Sequence, residues 1–209
     1  MHLRPLVLAT RNQGKIEEFQ ELFVGCGIEI RSLTDFGPIH PVMEDGETFE
    51  ENAYKKAFHT ARMLGFPSLA DDSGLKVEAL GGAPGIKSAR YAGEGATKED
   101  NNRKLVEAMQ GVSNRKAAFE CVLAIAVPRG PALIYEGRCE GEITTELQGE
   151  EGFGYDPLFY YPPLKKTFAQ MSRAEKNRVS HRGKAMAELR GEIDKVLIWL
   201  EQRLAEEPY

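Results

Sequence analysis

The order in which the apolar residues change period is the strongest constraint this chain places on its fold. Leu6 to Thr10 is short and apolar, Ile16, Phe19, Leu22 and Phe23 then recur at helical spacing, and Ile28 to Leu33 returns to strand-like residues. Phe49, Ala53, Ala57, Ala61 and Leu64 mark one face of a second helix, which leads through Gly65 and Pro67 into another apolar strand ending at Ala70. Beyond the glycine-rich stretch Gly81 to Gly95, Thr97 with Asp100 reads as a capping box opening a helix through Met109. Ala117 to Val127, Ala132 to Arg138 and Glu140 to Thr145 suit an antiparallel meander, with Pro128-Arg129-Gly130-Pro131 as its first turn. Phe153 to Tyr161 reads as a further strand, and Ser172 with Glu175 as a second capping box. The chain closes on one helix whose buried stripe is Met186, Leu189, Ile193, Val196, Leu197 and Leu200, with Trp199 near its end. Strands of both connection types flanked by helices predict an α/β fold: a mixed sheet with helices packed on it.

At 209 residues the chain suffices for one ordinary domain or two small ones. It contains no repeat, low-complexity tract or obvious linker, so a single continuous domain over 1–209 is expected. Hydrophobic content of 42% against 28% charged residues describes a soluble globular protein. No apolar run is long enough to span a bilayer, and Met1-His2-Leu3-Arg4-Pro5 lacks the apolar core of a signal peptide, so the expectation is cytoplasmic, with no membrane partner. Cys26, Cys121 and Cys139 are odd in number and far apart, which argues for reduced thiols. A formal charge of −5 without a basic stripe argues against a nucleic-acid partner. It also makes any lysine or arginine inside a motif more informative, because a small anionic ligand would need local cations.

Five stretches carry candidate chemistry. Ala70-Asp71-Asp72-Ser73-Gly74 places two carboxylates, a hydroxyl and a glycine at what reads as a strand tip. Adjacent aspartates repel when both are ionised, so either a metal or phosphate site or an Asx-type turn accounts for them. If the strand instead continues through both, they point to opposite faces. Thr10-Arg11-Asn12-Gln13-Gly14-Lys15 brings a hydroxyl, an amide, a glycine and a lysine to a helix start, a place suited to phosphate, although no Walker A or G-x-G-x-x-G spacing is present. In Glu50-Glu51-Asn52-Ala53-Tyr54-Lys55-Lys56-Ala57, Asn52 and Lys56 share a helical face, which is either functional or simply solvated. Gly152-Phe153-Gly154-Tyr155-Asp156-Pro157 sets two rings among glycines, either a stacking surface for a nucleobase or core packing. Lys176 and Ser180-His181-Arg182-Gly183 form either a helix junction or a group of donors, and His181 has no partner histidine at metal-ligand spacing.

Together TRNQGK, FEENAYKKA, LADDSG, GGAPGIKSARY, GFGYDP and EKNRVSHRG resemble the noncanonical purine nucleoside triphosphate pyrophosphatases, the inosine/xanthosine triphosphatase (Ham1-like) family, in one order from about Leu6 to the last helix. The resemblance implies an elongated α/β protein with a long mixed sheet, two lobes, a central cleft and a homodimeric state. It also implies Mg²⁺-dependent hydrolysis of ITP, dITP and XTP to the monophosphate and pyrophosphate. By motif, Thr10, Arg11, Asn12, Gln13, Gly14 and Lys15 would hold the triphosphate, with help from Lys56. Asp72 would be the catalytic proton acceptor and a metal ligand, and Ser73 would touch substrate. Phe153, Gly154, Tyr155, Asp156, Lys176, His181 and Arg182 would bind the nucleoside. One position departs from the pattern: where many members of the family carry a metal-binding glutamate, this chain has Met43, so Glu44, Glu47 or water would complete the metal site. A pyrophosphatase for other modified nucleotides, as the related Maf-like enzymes are, and a non-catalytic nucleotide sensor are the two rival readings.

Overall fold

The computed structural model describes residues 5–40 and 42–205; the N-terminal residues 1–4, which carry most of the targeting-signal reading, lie outside the described residues, as do 41 and 206–209. A seven-stranded sheet has the order β2-β1-β3-β4-β5-β6-β7. Its strands are β1 (Leu6–Leu8), β2 (Ile30–Ser32), β3 (Ser68–Val77), β4 (Lys116–Ala126), β5 (Ala132–Ile143), β6 (Phe159–Tyr161) and β7 (Lys166–Thr167). The helices are α1 (Gln13–Leu22), α2 (Phe49–Leu64), α3 (Lys98–Ala108), α4 (Arg173–Val179), α5 (His181–Gly191) and α6 (Ile193–Ala205). β1 is parallel to both β2 and β3, while β6 is antiparallel to β5 and β7, so the sheet is mixed as the sequence predicts.

The chain divides into two compact units. The first contains the described residues up to Asp72, then Val122–Tyr135 and those from Ala185 onward; the second contains Ser73–Cys121 and Glu136–Lys184. In the first unit, Leu6, Val7, Leu8 and Leu69 are almost completely buried, as are Phe19 on α1, Ala53, Ala57 and Ala61 on α2, and Val196 and Leu200 on α6. α2 is capped at both ends: the Thr48 side chain accepts a hydrogen bond from the Glu51 amide, and Gly65 ends the helix in the left-handed conformation. The second unit has its own cluster around Leu75, Leu105, Met109, Phe119, Leu158, Phe159 and Phe168. Both predicted capping boxes, Thr97 with Asp100 and Ser172 with Glu175, are formed.

Four elements differ from the sequence reading. β3 runs through Asp71, Asp72, Ser73 and Gly74 without a turn; it lies between β1 and β4 in the sheet, and its register with β1 covers Ser68 and Leu69. The two predicted strands across Ala132 to Thr145 are one strand, β5. Phe153 to Leu158 is a turn, and only Phe159–Tyr161 is extended; Gly152 and Gly154 both have positive φ, which breaks a strand there. The final helix is interrupted at Glu192, and of its predicted stripe Leu189, Val196 and Leu200 are fully buried.

Candidate active site

In the first unit the segment between β1 and α1 is shaped by its own polar side chains. Thr10 Oγ1 accepts from the Asn12 amide at 3.1 Å, and Asn12 caps α1 by accepting from the Lys15 amide at 3.2 Å. Gln13 donates to Glu17 at 3.3 Å, while Arg11, Gln13 and Gly14 are exposed. No acidic residue occupies the first turn of α1, so its positive end is not neutralised from within. Lys15 reaches back to β3 and donates to Asp71 Oδ1 at 2.8 Å. That carboxylate is nearly enclosed, with 2% of its side chain accessible.

The neighbouring aspartate has a different partner. Lys56 on α2 donates to Asp72 Oδ1 at 2.8 Å, with side-chain exposures of 14% and 12%. The solvated-face reading of Lys56 is therefore replaced by a buried ion pair. Glu44 Oε2 lies 3.4 Å from the same ammonium nitrogen, so a second carboxylate stands beside Lys56 with Asp72. Met43 is exposed, and the Glu47 amide donates to Glu51 at 2.7 Å. Burial raises the proton affinity of Asp72; the charges of Glu44 and Asp71 add to that, and Lys56 only partly offsets it. For Lys56 burial favours loss of the proton, but the charges of Asp72, Asp71 and Glu44 outweigh it and raise its pKa. Both groups hold protons more tightly than usual, Asp72 chiefly because it is buried and Lys56 because three carboxylates surround it. Two carboxylates converging on one cation are a donor set that fits a hard divalent ion, which commonly takes one or two carboxylates and fills its remaining positions with water and phosphate oxygens.

A cavity of about 560 Å³ in this unit is lined by Thr10, Arg11, Lys15, Glu44, Lys56 and Asp71, together with His59 and Thr60. The sequence reading did not single out His59, although it follows Lys56 by three residues on the same helix, a spacing that would have flagged it. Its Nε2 lies 3.3 Å from the His40 carbonyl oxygen.

In the second unit Phe153 is 49% exposed, with Lys176 Nζ 4.5 Å and Arg182 Cζ 5.5 Å from its ring centroid. Asp156 fixes this group: it is 2% exposed and accepts from Lys176 at 2.5 Å and from the Phe153 amide at 2.7 Å. Arg182 also donates to Ser73 Oγ at 3.4 Å. Of the two readings of these rings, stacking surface or core packing, Tyr155 takes the second. It is 4% exposed, its hydroxyl donates to the Ser88 carbonyl at 2.8 Å, and burial raises its pKa, so its ring belongs to the core and Phe153 supplies the open face. His181 is also buried, stacked on Phe119 at 4.7 Å with 12° between the ring planes. The hydroxyl of Ser180 accepts from the Gly183 amide at 3.1 Å, which fixes the junction of α4 and α5.

The arrangement has two chemical parts. The first unit offers lysines poised on carboxylates beside a positive helix end, which suits phosphate and a metal ion. The second offers an aromatic face flanked by two cations, which suits an electron-rich heterocycle bearing carbonyl oxygens.

A profile of the Ham1 family matches residues 6–192. The dITP/XTP pyrophosphatase of Desulfotalea psychrophila is 61% identical over 202 residues, covering 97% of this chain and 91% of that protein. The dITP/XTP pyrophosphatase of Syntrophobacter fumaroxidans is also 61% identical, covering 97% of this chain and 87% of the relative. Among solved structures, a HAM1 protein from Coxiella burnetii superposes with a TM-score of 0.88 at 42% identity, over 92% of this chain and 100% of that one. The Staphylococcus aureus Ham1 protein does so with a TM-score of 0.86 at 41% identity, with the same coverage. Sequence similarity over nearly its whole length and a matching fold agree: the chain belongs to the Ham1 family.

Proposed function

We propose that this protein is a nucleoside-triphosphate pyrophosphatase that hydrolyses the noncanonical purine nucleotides ITP, dITP and XTP to the monophosphate and pyrophosphate. The observation that carries this reading is the pairing of two lysines with the two aspartates of one strand, Lys15 with Asp71 and Lys56 with Asp72, with Glu44 on the second pair. The dITP/XTP pyrophosphatases to which the chain is similar support the same activity.

On this reading Thr10 through Lys15 and Lys56 take the triphosphate, with phosphate oxygens replacing carboxylate oxygens as partners of the two ammonium groups. A divalent cation, Mg²⁺ here, would be held by Asp72 and Glu44 and would supply neutralisation of phosphate charge. Water attacks the α-phosphorus, and Asp72 accepts its proton; the raised proton affinity of this buried carboxylate suits that role. Negative charge gathering on the departing pyrophosphate is stabilised by Lys15 and Lys56, so catalysis is positioning and electrostatics without a covalent intermediate. Phe153 stacks on the base, and Arg182, with Lys176 and His181, presents donors to the 6-keto oxygen. Adenine carries an amino group there, and setting donor against donor costs about 1–3 kcal/mol for the unpaired group. Asp156 acts by holding Lys176 and the Phe153 amide in place.

The decisive measurement is pyrophosphate release. Asp72→Asn is expected to lose about a hundredfold or more in kcat at saturating Mg²⁺, the scale of general-base catalysis; near-normal turnover would remove Asp72 from the chemistry. A panel of ITP, XTP, dITP, GTP, ATP, dTTP and UTP, scored for pyrophosphate against orthophosphate, separates this activity from a Maf-like specificity. Absence of any Mg²⁺-dependent product would favour a sensor. The proposal extends to a homodimer acting in the cytoplasm as a single domain, the assembly being checked by analytical ultracentrifugation.

A further inference from the structure

We infer that Asn102 on α3 is a positioning residue for the base end of the site, holding the turn that carries Phe153 at the expense of the protein's own stability. The inference rests on the reading of Phe153 as the base-stacking face. Asn102 Nδ2 donates at 3.0 Å to the carbonyl of Gly154, the residue immediately after Phe153. Phe153 itself is held by Asp156, whose carboxylate accepts from the Phe153 amide at 2.7 Å and whose amide donates to the Phe153 carbonyl at 3.2 Å; Asn102 adds the bond to the next carbonyl along the turn. Asn102, Val106, Leu147, Phe153, Gly154 and Pro157 line an open cavity of about 730 Å³, so side-chain packing does not fix Gly154 there. Gly154 has a φ of 58°, a left-handed conformation that glycine adopts without the steric cost of a side chain.

The other end of the same amide shows why stability does not explain the residue. Asn102 is only 5% exposed, and its Oδ1 is buried with no hydrogen-bond partner among the described residues. A buried acceptor left unmatched is a net cost, whereas an apolar side chain of similar shape would bury no polar group. Its neighbour Asn101 is a contrast on the same helix. Equally buried at 6%, Asn101 uses both ends of its amide, accepting from the Ala92 amide at 2.7 Å and donating to the Ala89 carbonyl at 3.1 Å. Asn101 has the bonding of a scaffold residue. Asn102 retains one bond, and that bond reaches the turn under Phe153.

The test compares Asn102→Leu, Asn101→Ala and Phe153→Ala in the full chain by calorimetric binding of inosine 5′-monophosphate and of inorganic pyrophosphate, with thermal unfolding measured in parallel. Asn102→Leu is expected to weaken inosine monophosphate about fivefold or more, the scale of one lost hydrogen bond. Pyrophosphate affinity stays within twofold and Tm is unchanged or raised. In steady state KM for ITP rises more than kcat falls. Asn101→Ala is expected to lower Tm without that selective loss. Unchanged monophosphate binding in Asn102→Leu, or equal weakening of both ligands, overturns the inference while leaving the proposed function standing. If Phe153→Ala also leaves monophosphate binding unchanged, the base-end reading falls and the inference with it. Should Asn102→Leu fail to fold, Asn102→Asp, of the same shape but without the donor when ionised, is expected to give the same selective loss, and its absence overturns the inference.

Discussion

Asp72 keeps a raised proton affinity with Lys56 only 2.8 Å away, because burial and the charges of Glu44 and Asp71 together outweigh that one cation. The same negative charges raise the pKa of Lys56 against its own burial. Glu44 therefore controls both groups with a definite sign. Replacing it, in Glu44→Gln, makes the ionised form of Asp72 less costly, so its pKa falls and the acidic limb of the kcat/KM profile moves to lower pH. Lys56 loses one of the charges that help it keep its proton, so a basic limb set by Lys56 also moves down. If Glu44 is the second metal ligand, the Mg²⁺ concentration for half-maximal activity rises about tenfold or more in the same variant. A pH profile and a Mg²⁺ titration of ITP hydrolysis check both, and unmoved limbs would separate Glu44 from the site's electrostatics. The sequence named Asp72, Lys56 and Glu44 as candidates, but not that Glu44 approaches Lys56 while the Glu47 amide turns to Glu51. Only the fold brings Glu44, twelve residues before Lys56, to that ammonium.

At the scale of elements, β3 is a strand where Asp, Ser and Gly favour a turn. It lies between β1 and β4 in the sheet, and two lysines from separate helices compensate the adjacent carboxylates that would otherwise repel. Local propensity is overridden by tertiary structure, so the tip reading of Asp71 and Asp72 fails, and each carboxylate is paired with its own lysine. The segment leading into α2 is held as closely. The Gly46 amide donates to buried Asn52 at 2.8 Å, and a Cβ at Gly46 would approach Asn52 Oδ1 to 2.6 Å and Glu51 Cβ to 2.9 Å. Gly46→Ala is therefore expected to cost about 1–3 kcal/mol in urea unfolding, the scale of overpacking, and to raise the Mg²⁺ requirement by displacing Glu44. A variant of wild-type stability and metal dependence would show that this segment is not held rigidly. The turn after Gly152 follows the same logic: a Cβ there would come within 2.1 Å of Asp156 Oδ2, the oxygen that holds both Lys176 and the Phe153 amide. The sequence announced an aromatic and glycine cluster here, but not which ring faces outward. Burial of Tyr155 in the second unit's core left that role to Phe153.

On the scale of the whole molecule, each compact unit is assembled from separated stretches, and β3, β4 and β5 each contribute residues to both. Division of a strand between units favours joint unfolding, since loss of either half removes part of the same strand's pairing. Differential scanning calorimetry is expected to give one transition with calorimetric and van't Hoff enthalpies in agreement; two resolved transitions would mean that the units unfold independently. The sequence by itself determined the α/β class, two capping boxes, the mixed sheet and, through motifs in a fixed order, the family, because periodicity, capping and motif spacing are local or colinear properties. Tertiary structure alone decided that the aspartates lie within a strand, that Lys15 belongs to Asp71 and Lys56 to Asp72, that Glu44 joins them, and that Phe153 rather than Tyr155 is exposed. Those outcomes depend on which distant side chains share a buried volume, and neither chain order nor local propensity encodes that distance.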